Sequence, residues 1–252
     1  MSEQTPKPNA LPHDPIQVKM PQRKPVMTIV LIAVTTLIYL MQFIFQGIYG
    51  FDLLFALGGK VNNAIANGQV WRLLTPVFLH SSILHIALNM YALYIIGRRL
   101  ERFYGPWRFL ILYFISAFTG NVLSYVLTPA ASLGASTAIF GLLAAEGVFI
   151  FENRKLFGPN RTREMILNLG FILVINLSFG FMPNMNVDNM GHIGGLLGGI
   201  FFAWKAGPAL RITGQPPFFE VRDVRKQGEV LLATLVVLIG FTIIAAIPFL
   251  TS

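Results

Sequence analysis

The sequence predicts an all-α polytopic membrane protein: a helical bundle of six core transmembrane helices plus a C-terminal seventh. Three observations predict it. Hydrophobic residues make up 54% of the 252 positions and charged residues only 12%, about half the share of a soluble domain. Apolar runs long enough to cross a bilayer as helices recur along the chain. The basic residues alternate between the loops in step with those runs.

The runs fall at Met27–Tyr49, Ser82–Gly97, Trp107–Thr128, Gly134–Phe151, Met165–Met182, Met190–Ala206 and Val230–Leu250. The second, fourth and sixth are the least hydrophobic, and they hold nearly all the polar groups expected at membrane depth. Of the 19 Lys and Arg residues, 17 lie in the N-terminal tail and in the loops after the second, fourth and sixth runs. Only Lys60 and Arg72 fall in the alternate loops. The positive-inside rule then sets the N-terminus in the cytoplasm and the C-terminus outside. The net charge of +8 is accounted for by topology, so nucleic acid is not expected as a partner. The chain has no cysteine, which excludes disulfides, thiol nucleophiles and thiolate metal sites.

Residues 1–26, rich in proline, are expected to be a disordered cytoplasmic tail. Residues 27–206 form the six-helix core, with a long external loop at 50–81 whose mixed apolar and Gly/Asn content suits the membrane interface. Residues 207–229 read as a polar cytoplasmic linker to the seventh helix at 230–252. No internal repeat supports an inverted-repeat transporter.

Polar groups inside a membrane are costly and mark function by default. His85 and Asn89 lie four residues apart, on one helix face. Two N–H donors so arranged suit a developing oxyanion, or hydrogen bonding between helices. Ser136 opens the fourth run, where free backbone N–H groups favour an anion. Gly134, Ala135, Ala138 and Gly141 permit close packing around it. The plainer reading is a helix cap or a small packing residue. His192 sits beside a ridge of Gly191, Gly195 and Gly199 that lets another backbone come near. It is either a base for the Ser136 hydroxyl or a core histidine. Ser136, His192, His85 and Asn89 all fall toward the external ends of their runs, so they can share one site. The nearest external acid, Asp188, precedes His192 by four residues, which favours a dyad over a triad. Glu146 lies about three turns below Ser136, too deep to reach the pair, and suits a bundle-facing hydrogen bond or snorkelling.

In order along residues 27–206, these motifs resemble the rhomboid intramembrane proteases. The resemblance rests on Trp71-Arg72, His80-x4-His85-x3-Asn89, Gly97 with Glu101 and Gly105, Gly134-x-Ser136, and Gly191-His192-x2-Gly195-x3-Gly199. It implies a serine endopeptidase cutting transmembrane segments near the external face, with no metal and no cofactor. Ser136 would be the nucleophile and His192 the base. His85, Asn89 and the Ser136 N–H would hold the oxyanion. Phe140 would pack on the histidine, Arg72 would brace the external loop, and Gly134, Gly195, Gly199 and Trp71 would support the site. The fifth run and the loop with Pro183 and Met185 would gate substrate admission. The implied partners are transmembrane substrates and the lipid bilayer, and the implied setting is a bacterial cell membrane. Thr137 departs from the family's usual glycine. It is the one feature pointing to the alternative, a catalytically impaired rhomboid-like protein that binds membrane clients.

Overall fold

The computed structural model describes residues 17–19, 23–179, 187–215 and 218–251. In chain order the elements are β1 (Gln17–Lys19), α1 (Val26–Tyr49), α2 (Leu53–Gly58), α3 (Asn62–Ala66), α4 (Ile83–Tyr104), α5 (Pro106–Leu127), α6 (Ser136–Glu152), α7 (Arg154–Phe157), α8 (Pro159–Phe179), α9 (Asn189–Ala206), β2 (Leu210–Gln215), β3 (Phe218–Asp223) and α10 (Gln227–Thr251). The protein is predominantly helical. By length and composition, three helices among the described residues can cross a membrane: α1, α5 and Gln227–Pro248 of α10.

The bundle is apolar on the outside as well as in its core. Its apolar exterior includes Phe43, Ile48, Leu232 and Ile243, each more than 60% exposed, a surface that only lipid can solvate. Its interior carries buried Ser116, Thr119, Asn121 and Ser124 on α5. Each finds a polar partner: Ser116 and Thr119 bond backbone carbonyls of their own helix, and Asn121 donates to the Leu73 carbonyl at 3.1 Å. The central layer is α5, α6 and α9, with α4 against α5 and α6, α1 on α4, α8 on α6, and α10 on α5 and α9.

Glycine sets the closest contact in that layer. A Cβ on Gly195 would strike the Thr137 carbonyl, and one on Gly199 would strike the Gly141 backbone. The α6 and α9 backbones therefore touch directly, as small-residue interfaces permit. α1 is tied in differently. Its N-cap, Pro25, offers no side-chain acceptor. The buried Glu101 carboxylate of α4 instead accepts the Met27 and Thr28 N–H groups, both at 2.8 Å, and the Thr28 hydroxyl at 2.7 Å. A carboxylate at that end also suits the helix dipole.

A small sheet lies on the tail and linker segments. Gln17–Lys19, within the segment expected to be disordered, forms a strand parallel to β3, and the expected linker folds as the antiparallel β2–β3 hairpin. The cause is a set of polar anchors. Asp223 pairs with Arg108 of α5 at 2.7 Å and accepts the Ala209 N–H. Asn153, at the end of α6, binds Pro208 O and the Leu210 N–H. The tail residues before Gln17, and Pro183 and Met185 of the expected gate, lie outside the described residues.

Candidate active site

Ser136 is the first residue of α6, so the N–H groups of that turn have no intrahelical acceptor. The approach to it is fixed by glycine. Gly134 has φ +128°, a conformation that suits glycine and strains other residues. Its N–H donates to Pro76 O at 2.9 Å. Lys60 and Ser132 exchange backbone hydrogen bonds at 3.0 Å. The Lys60 ammonium donates to Thr128 O at 2.7 Å and Ala130 O at 2.9 Å. Burial lowers Lys60 to about 8, and in either protonation state the amine retains donors for both carbonyls. The loop between α1 and α4 thus clamps the segment that presents the serine.

His192 lies in the first turn of α9. Asp188 caps that helix, accepting the Gly191 N–H at 2.9 Å. The His192 Nε2 lies 2.9 Å from Ser136 Oγ. The imidazole is stacked on the Phe140 ring, with centroids 4.0 Å apart and planes 10° apart. Its Nδ1 has no hydrogen-bond partner among the described residues. The second Asp188 carboxylate oxygen is held by the Ser124 hydroxyl. Packing on Phe140, rather than a carboxylate, therefore sets the ring's plane.

His85 stands on the other side of the serine. A Cβ on Gly134 would lie 2.9 Å from His85 Nε2 and 3.7 Å from Ser136 Oγ, so imidazole and hydroxyl border one small space. Ser81 Oγ lies 3.1 Å from His85 Nδ1. Asn89, one turn below, is buried and donates to the His85 carbonyl at 2.9 Å. One of its two amide hydrogens is left for other acceptors. Trp71 and Arg72 bond within the loop. Arg72 clamps the loop through Gly59 O, Ala56 O and Gln69 at 2.6–2.7 Å, and the Trp71 indole donates to Leu57 O.

Sequence reasoning gave no role to His80. It is buried edge-on against His85, with centroids 4.9 Å apart. Its Nε2 lies 3.5 Å from the Ala135 N–H. Burial and the neighbouring His85 push His80 down to about 3, so the neutral ring can accept. The motif spacing that includes His80 was the available signal. Thr137 turns toward Gly120 and Gly191, whose added Cβ atoms would meet its side chain at 2.6 and 3.1 Å. Its bulk is absorbed by glycines on α5 and α9. Glu146, within α6 and ten residues after the serine, pairs with Arg99 at 2.9 Å.

The fold and site define a multi-pass helical membrane protein with a hydroxyl–imidazole pair near one face. A family profile described as "Rhomboid domain" matches residues 67–209, more than half of the chain. The chain belongs to the rhomboid family. It is 44% identical over 184 residues to "Rhomboid protease GluP" of Bacillus subtilis (strain 168), covering 73% of this chain and 35% of that protein. It is 41% identical over 150 residues to "Rhomboid-like protease 3" of Toxoplasma gondii, covering 58% and 56%. It is 38% identical over 145 residues to "RHOMBOID-like protein 1" of Arabidopsis thaliana, covering 57% and 36%. The matches thus span from about a third to just over half the length of these relatives.

Proposed function

We propose that this chain is an intramembrane serine endopeptidase that cleaves transmembrane segments of membrane-protein substrates near the external face. The observation that carries the reading is the 2.9 Å approach of His192 Nε2 to Ser136 Oγ, with the imidazole stacked on Phe140. A free serine hydroxyl is a weak nucleophile, and a base within bonding reach activates it. His192 Nε2 takes the Oγ proton as the oxygen attacks the scissile carbonyl. The developing oxyanion is met by the Ser136 N–H at the α6 terminus and by His85, with Asn89 one turn below. His192 then protonates the departing amine, and water releases the acyl group in a second, mirrored step.

Backbone amides inside a substrate helix are already hydrogen-bonded, so the helix must open before attack. Substrates with small or helix-breaking residues near the outer face meet that cost most cheaply. The proposed arrangement is six core helices plus α10, with the N-terminus cytoplasmic and the C-terminus external, and the serine end of α6 outward. The loop clamp on Ser136 supports a site held ready for chemistry. The packing of Thr137 against Gly120 and Gly191 supports a serine left in place beside it.

The test is hydrolysis of a generic single-span substrate by purified protein. The wild type should produce a cut product, and Ser136→Ala should abolish it with unchanged expression and melting temperature. Equal turnover by the Ser136→Ala protein would refute the assignment.

A further inference from the structure

At the end of the bundle away from Ser136, a cavity of about 590 Å³ lies between α4, α6 and the start of α8. Among the described residues, Arg23, Arg98, Arg99 and Arg102 line it, with one acid, Glu146. Arg99 is committed to Glu146 at 2.9 Å. The Arg98 guanidinium lies over the Tyr94 ring at 4.6 Å and donates to the Tyr94 hydroxyl at 2.6 Å, so both groups are pre-positioned. The Tyr94 hydroxyl accepts that bond and keeps its own proton to donate. Arg23 and Arg98 thus add two positive charges beside the Arg99–Glu146 pair, on side chains exposed enough to meet a ligand, and an anion with several acceptor oxygens suits them.

The other lining is apolar: Ile95, Phe103, Phe149 and Met165. Tyr94 and Ile95 are each 39% exposed on the outer face of α4, so the recess continues onto the lipid-facing surface. One ligand chemistry matches both halves, a phosphodiester joined to hydrocarbon chains. We propose that this cavity binds the headgroup of an anionic glycerophospholipid, its phosphate among Arg23, Arg98 and Tyr94 and its acyl chains along α4 beside Ile95. Basic recesses between transmembrane helices are suited to such headgroups. The proposal goes beyond the proteolytic reading and does not depend on it.

Native mass spectrometry of the full chain, purified in neutral detergent, tests it. Dioleoylphosphatidylglycerol should be retained about tenfold over dioleoylphosphatidylcholine, from the several-fold that each basic side chain contributes beside an anionic headgroup. Arg23→Gln with Arg98→Gln should bring retention to the phosphatidylcholine level. Arg154→Gln with Lys155→Gln, the same charge change at the same end but outside the cavity, should leave it unchanged. Equal retention of the two lipids by the wild type would overturn the proposal, even if the double variant failed to fold. Undiminished phosphatidylglycerol retention by a folded double variant would also overturn it. So would complete displacement by inorganic phosphate, which would identify a site for free anion instead.

Discussion

Asp188 offers a direct way to tell a dyad from a triad. In a triad the acid holds the base's second nitrogen, and changing it to the amide costs about 10⁴ in rate because the imidazole takes the wrong tautomer. Here the carboxylate is spent on the Gly191 N–H and the Ser124 hydroxyl, and it caps α9. Asparagine can perform both tasks. Asp188→Asn is therefore expected to lower kcat by less than about tenfold, far below the triad penalty. Steady-state kinetics on a single-span substrate would decide, and a loss near 10⁴ would restore the acid to the chemistry. The serine and both flanking histidines were legible in the sequence, because charge counting put them at one depth and motif spacing put them in order. The Asp188–Ser124 contact was not, since the two residues are 64 positions apart and neither hydroxyl nor carboxylate announces its partner.

Glu101 shows how an element can depend on a residue outside it. α1 has no cap of its own, and its first N–H groups close on a carboxylate from α4. Glu101→Ala would leave those buried donors without an acceptor, at an expected cost of about 3 kcal/mol. Glu101→Gln, which keeps one acceptor oxygen, should lie between it and the wild type. Thermal unfolding in detergent would read the order, and equal midpoints for all three would discount the cap. The helices themselves were largely visible from hydrophobic runs. The boundaries that shifted have particular causes. α4 continues to Tyr104 and α8 starts at Pro159, through polar residues that hydropathy assigns to loops. The β2–β3 hairpin escaped notice because its anchors, Asn153 and Arg108, lie on distant helices.

The arrangement of the whole chain across the bilayer is open to a clean measurement, because the natural sequence contains no cysteine. Ala66→Cys in α3 and Lys155→Cys in α7 each place one thiol at an exposed position. With the proposed orientation, a membrane-impermeant maleimide on intact cells should label residue 66 at once, and residue 155 only after permeabilisation. Labelling of both from one side would break the six-plus-one alternation. The direct meeting of the α6 and α9 backbones at Gly195 and Gly199 has a mechanical consequence. Side chains can relax around a change by hopping between rotamers, whereas two main chains in contact have no such play. The hydroxyl and the imidazole therefore ride on a single stiff strut, and their separation should change little while the outer helices of the bundle move.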